Sequence, residues 1–157
     1  MCIRDSTYAV KGLQTGQIQF LYAPTHLNPT YEYGVTFERG TAVTYGDRKQ
    51  IFISGTASID NQGEIMYPGD ILKQTERMLE NIDTLLQEAG GGLQDIMQAI
   101  VYLRDPADYV VVKQYIESRY PSFLHLIVHA PVCRPGWLIE TECIAVIPAD
   151  APQYAYL

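Results

Sequence analysis

The hydrophobic pattern divides the chain into short elements. "TAVTY" and "QIFISG" are rich in β-branched and aromatic residues and flank the polar "GDRK", with Gly46 and Asp47, so they predict two strands joined by a turn. A loop, "TASIDNQGEIMYPG", precedes the clearest pattern. From Asp70 onward, apolar or neutral residues stand at Ile71, Thr75, Met78, Leu79, Ile82, Leu85, Leu86 and Ala89. That is the i, i+3, i+4 spacing of a helix burying one face. Asp70 suits its N-cap, and the glycines from Gly90 stop it. "IMQAIVYL" predicts a strand by β-branched content. "DPADYVVVKQYIESRYP" predicts a second helix, opened by Asp105 and Pro106 and ended at Pro121, with Val112, Tyr115 and Ile116 at helical spacing. "FLHLIVHA", the turn "PVCRPG" and "WLIETECIAVI" complete the order β-β-α-β-α-β-β. This order predicts an α/β (α+β) fold, a mixed sheet with both helices on one face.

The ends carry less pattern. Residues 1–6, "MCIRDS", match the translation ATG-TGT-ATA-AGA-GAC-AGN, the end of a transposon adapter used for sequencing libraries, and are set aside from fold reasoning. Residues 7–33 hold prolines, glycines and aromatics without a period, which predicts the tail of a missing upstream domain and a linker. Residues 34–150 form the predicted domain, and 151–157 a C-terminal tail.

Composition narrows the function classes. A chain of 157 residues with 47% hydrophobic and 18% charged residues suits one globular domain. No apolar run approaches the roughly 20 residues of a membrane span. The net charge of −7 opposes a phosphate backbone, so nucleic acid is a poor partner for the chain as a whole. With Cys2 set aside, Cys133 and Cys143 remain. Two thiols without a leader pattern predict a reduced, cytoplasmic protein. Neither thiol has metal-ligand spacing with His26, His125 or His129, so no metal and no cofactor is expected.

Candidate chemistry centres on the closing strand. Alternation puts Glu140 and Glu142 on one face with Leu138 and Ile144. Carboxylates flanked by apolar residues are costly to bury unless paired, and in a partly apolar site they exchange protons near neutrality. The alternative is a solvated edge or a structural pair with Arg134, whose guanidinium can hold a carboxylate bidentately. "ISGTASID" offers Gly55 and Thr56 at a strand end, where backbone N–H groups can cradle an oxyanion. Ser54 has no GxSxG elbow and no neighbouring His, so serine catalysis is not expected.

These pieces in this order resemble the Rid (YjgF) superfamily from about Phe37 to Val146. "IFISGTASIDNQGEI", "GDILKQTERMLENIDTLLQEAGG" with Gln74, Asn81 and Leu85, "DIMQAIVYLRDPADYVVV" and "IETECIAV" carry the resemblance. In enamine and imine deaminases of that family an arginine follows a proline at the start of the penultimate strand. Phe123 stands there in this chain, and Lys113 stands where an asparagine is expected. "SGTASI", "GD" before a helix with Gln74, and Cys133-Arg134 before the last strand resemble the chorismatase-like branch, whose C-terminal domain has this fold. The resemblance implies a hydrolase acting on a small carboxylated metabolite. It gives Glu142 the role of acid for hydrolysis of an enol-pyruvyl ether, with Glu140 as the alternative. Arg134 and Arg39 would hold carboxylates, and Gly55, Thr56, Phe37, Tyr33, Glu140 and Cys133 would bind substrate. Enamine or imine deamination, with Glu142 positioning water, and a non-enzymatic binding or scaffold role are the alternatives. The resemblance also implies a homo-oligomer, a trimer, or a pseudo-trimer with a missing N-terminal domain.

Overall fold

The computed structural model describes residues 9–156, with Tyr33 described in its backbone only; the adapter-like residues 1–6 lie outside the described residues. The regular elements are β1 (Ile18–Leu21), β2 (Gly40–Thr44), β3 (Arg48–Ala57), α1 (Ile71–Glu88), β4 (Ile96–Leu103), α2 (Tyr109–Arg119), β5 (His125–His129) and β6 (Ile139–Pro148). The strands form one six-stranded sheet in the order β1-β2-β3-β6-β4-β5. Neighbours run antiparallel except β4 and β5, which are parallel and joined over one face by α2. The last strand to be made, β6, thus sits in the middle of the sheet.

The α1 pattern folds as its spacing predicts. Asp70 caps the helix by accepting from Lys73 N at 3.0 Å, and Met78, Leu79, Ile82, Leu85 and Leu86 are each at most 1% exposed. Burying each such side chain contributes about 1.5–3 kcal/mol. They pack on the sheet face made by Ile51, Ile53, Ala99, Val101, Leu103, Ile139, Cys143 and Ala145. The intervening residues Phe52, Ile100, Glu142, Ile144 and Val146 are only partly buried and point to the opposite face. Among the described residues no helix covers that face, and none is long and apolar enough to cross a membrane.

Two expectations change. The irregular stretch expected before residue 34 contains β1, which pairs with β2 from Ile18↔Val43 to Leu21↔Gly40. Leu21, Ala23 and Leu27 join the core, because the Glu88 carboxylate at the end of α1 accepts from Tyr22 N and Ala23 N, each at 2.8 Å. The second helix also starts later. Asp105 caps a 3-10 turn, Pro106–Asp108, by accepting from Ala107 N at 2.9 Å, and α2 proper begins at Tyr109. At the other end of the chain, Ala151 N donates to Gly46 O and Gly46 N to Ala155 O, tying the tail to the β2–β3 turn.

Candidate functional site

The site grows from an irregularity where β3 meets β6. Ile53 pairs with Cys143, but the next pair is Thr56 with Thr141, so Ser54 and Gly55 together oppose Glu142. Such a bulge bends the strand and re-aims its side chains. It is braced on both sides. Thr56 Oγ1 donates to Ser54 O at 2.9 Å, and Ser54 Oγ donates to Glu38 O at 2.7 Å. Ser54 N donates to Arg39 O at 3.1 Å. Thr56, 1% exposed, therefore shapes the bulge from the covered side of the sheet, and Gly55 is the surface it presents.

The bulge distinguishes the two glutamates, which strand parity treats alike. Both lie on the face away from the helices. Glu142 pairs with Ile100 and stays half-buried. Glu140 lies between Ala57 and Tyr102 on the neighbouring strands and is 7% exposed. Its carboxyl packs onto Gly55 so closely that a Cβ there would stand 2.2 Å from Glu140 Oε1. The glycine is needed for the space it leaves, since its φ lies outside the left-handed range. The carboxyl gathered with Gly55 is thus that of Glu140.

The expected cations lie to one side. Arg39 is 5% exposed and committed to Asn28: Nε and Nη2 donate to Asn28 O at 3.2 and 2.9 Å, and Nη2 to Asn28 Oδ1 at 2.9 Å. Its guanidinium carbon lies 5.9 Å from the centre of the half-exposed Phe37 ring. Asn28 in turn fills the space over Gly63. Arg134 reaches the same loop from the other side, Nη1 donating to Gly63 O at 2.9 Å while the guanidinium stacks 5.1 Å from the Trp137 ring. Cys133, next to it, is exposed. Tyr33 ends a 3-10 turn, Thr30–Tyr33, that runs into the Phe37 segment.

Sequence reasoning did not single out the residues that hold this rim. Asn28 anchors Arg39, and Arg104 donates to the carbonyls of Val132, Arg134 and Trp137. Gln74, noted for the resemblance alone, is fully buried and bridges Tyr67 O, Gly136 O and Leu138 N. The Arg104 contacts and those of Gln74 with Gly136 and Leu138 join residues far apart in sequence, and no local spacing signals them. Cys143 takes no part in proton exchange: burial, and secondarily the charge of Glu142, push its thiol up to about 12. Among the described residues no group of three His, Cys, Asp or Glu side chains could hold a metal ion. An apolar cavity of about 290 Å³ lies apart from the site, lined by Leu103, Pro106, Tyr109, Ile127, Val128 and His129.

Residues 40–147 match the family model described as Endoribonuclease L-PSP. Over 97 residues the chain is 31% identical to the 3-aminoacrylate deaminase RutC of Acinetobacter baylyi, covering 60% of this chain and 77% of that protein. A RutC family protein of Pyrococcus abyssi is 35% identical over 97 residues, covering 60% of this chain and 76% of that one. Among solved structures, RidA from the Antarctic bacterium Psychrobacter sp. superposes with a TM-score of 0.67 at 24% identity, over 82% of this chain and 99% of that one. That last likeness carries the fold.

Proposed function

The chain belongs to the Endoribonuclease L-PSP family, the Rid (YjgF) family, and from that premise we propose that it hydrolyses an enamine or imine of a small carboxylated metabolite, with Glu140 as its acid and base. The observation that carries the reading is the buried Glu140 carboxyl packed on Gly55 at the β3 bulge, in a chain related to a protein named for 3-aminoacrylate deamination. A carboxyl held there can protonate the enamine carbon, giving an iminium. As a carboxylate it then takes a proton from water as the oxygen adds to the iminium carbon. The resulting carbinolamine releases ammonia and leaves a carbonyl. Arg134, at the rim, is the cation for the substrate carboxylate.

Hydrolysis of an enol-pyruvyl ether is the second reading. It uses the same protonation at carbon, followed by water addition to an oxocarbenium centre. Its support is that Phe123, two residues before β5, is 5% exposed and stacks 5.5 Å from His125, while Arg134 stands at the rim as a cation. Both readings need the same carboxyl, so one variant tests it. The full chain is assayed for ammonia from an enamine generated in situ and for pyruvate from chorismate. Glu140→Gln keeps the shape but loses the proton, and turnover should fall about 10²–10⁴-fold. Unchanged turnover in this variant would end the assignment. Ammonia release without pyruvate release supports the first reading, and the reverse supports the second. No turnover of either would support a non-enzymatic binding or scaffold role.

A further inference from the structure

We propose that Arg104 is a positioning residue that holds the rim loop in the conformation presenting Arg134. The inference rests on the reading of Arg134 as a carboxylate-holding cation. The loop from Ala130 to Leu138 contains Pro131 and Pro135, which have no N–H to donate, and within it Trp137 N donates to Arg134 O at 3.0 Å. Its two ends are tied to the end of β4: Ala130 N donates to Leu103 O and Arg104 N to Leu138 O, each at 3.0 Å. Between those ties the Arg104 side chain enters the loop. Nε donates to Trp137 O at 2.6 Å, and Nη2 to Val132 O at 3.0 Å and to Arg134 O. One planar fork with fixed donor directions meets three carbonyls, so the backbone from Val132 to Trp137 is fixed relative to the sheet.

A second tie makes the arrangement specific. Gln74, reaching from α1, donates to Gly136 O at 3.0 Å and to Tyr67 O at 3.2 Å, and accepts from Leu138 N at 2.9 Å. The loop is thus fastened to β4 by Arg104 and to α1 by Gln74, and the Arg134 side chain leaves it over the Trp137 ring toward Gly63. All three of these Arg104 contacts are carbonyls of the loop that carries Arg134. The arrangement therefore orients a backbone. A displacement of a positioning group by about 1 Å can cost on the order of 10² in rate.

The chain has a single tryptophan, and it lies in this loop, which provides the reporter. Trp137 emission and acrylamide quenching are measured for the full-length wild type, Arg104→Lys, Arg134→Ala and the double variant. The same emission then follows a titration with pyruvate, a small carboxylate. Lysine keeps the charge but not the planar fork, so Arg104→Lys should remain folded by circular dichroism, with Trp137 more quenchable. Pyruvate should bind it about 10-fold more weakly. In the Arg134→Ala background, adding Arg104→Lys should leave pyruvate binding unchanged while still raising the quenching. Unchanged quenching in Arg104→Lys would overturn the proposal, and so would a full loss of pyruvate affinity that persists without Arg134. If the wild type does not bind pyruvate, the carboxylate reading of Arg134 fails, and the quenching alone decides whether Arg104 holds the loop. Should Arg104→Lys not fold, Arg104→Gln is read in the same way.

Discussion

Adding a single methyl group at Gly55 tests the site most directly. A Cβ there would stand 2.2 Å from Glu140 Oε1 and 3.2 Å from Glu140 Cδ. Ordinary contact needs about 3.5 Å, so the carboxyl must retreat by about 1 Å. Glu140 is 7% exposed and walled by the central strands, so it moves only by straining its rotamer or its neighbours. Overpacking of this kind costs about 1–3 kcal/mol. Replacing a glycine stiffens the unfolded chain and returns about 0.4–1 kcal/mol, because alanine tolerates the φ found here. The net expectation for Gly55→Ala is a loss of about 1–2 kcal/mol, or a fall in Tm of about 2–8 °C for a domain of this size. Turnover, if Glu140 is the acid, should fall on the order of 10²-fold from the displacement. Thermal unfolding and the ammonia-release assay, run on one preparation, read both effects. Shortening the acid should make room again, so Gly55→Ala with Glu140→Asp should recover much of the lost Tm. An unchanged Tm in Gly55→Ala would refute the packing argument. A lowered Tm with wild-type turnover would refute Glu140 as the acid.

Further predictions concern the rest of the fold. Asn81 is fully buried and donates to Ala57 O and Ile59 O, each at 3.0 Å; these carbonyls also accept from Ile59 N and Arg77 Nε, so Asn81→Ala removes one of two donors from each and should cost about 1–3 kcal/mol in a urea melt. The Cys143 thiol is raised from 9.0 to about 12 by burial, and burial also raises the Tyr115 and Tyr120 hydroxyls. Native stability should therefore be intact below about pH 9 and fall as pH rises from there toward 12, because the unfolded chain loses these protons first; a Cys143→Ala variant should show a shallower alkaline fall in Tm. The uncovered sheet face carries Phe52, Ile100, Ile144 and Val146, with Phe20 and Leu126 exposed beside them. Light scattering should give a multiple of 17.7 kDa, three copies on the family expectation, and Ile144→Asp should lower the mass. A monomeric wild type would refute the association.

What the sequence could say follows from how each feature is encoded. Helix α1 was legible because one buried face imposes a period that survives in the residue order. Strand β1 was not: three of its four residues are exposed, so it has no alternation to read, and it is held partly by Glu88, more than 60 residues away. The glutamate pair exposes a finer limit. Residues two apart on a strand share a face, so periodicity cannot rank Glu140 against Glu142. The extra residue at Ser54–Gly55 separates them, since it slides β3 along β6 and brings the glycine against the Glu140 carboxyl. A glycine inside a strand pattern signals a bulge or a close approach, but what approaches it is written in another strand, some 85 positions on. Arg104 has the same character, because its three carbonyls belong to a loop about 30 residues later. These contacts share a physical reason. A carboxyl on the central strand β6 gains a rigid mounting, with β3 and β4 fixing it from both sides, whereas a carboxyl on a loop would have to be ordered by its ligand. That mounting can be built only by strands brought together from distant parts of the chain, so the residues that hold the Glu140 carboxyl are necessarily distant from it in sequence.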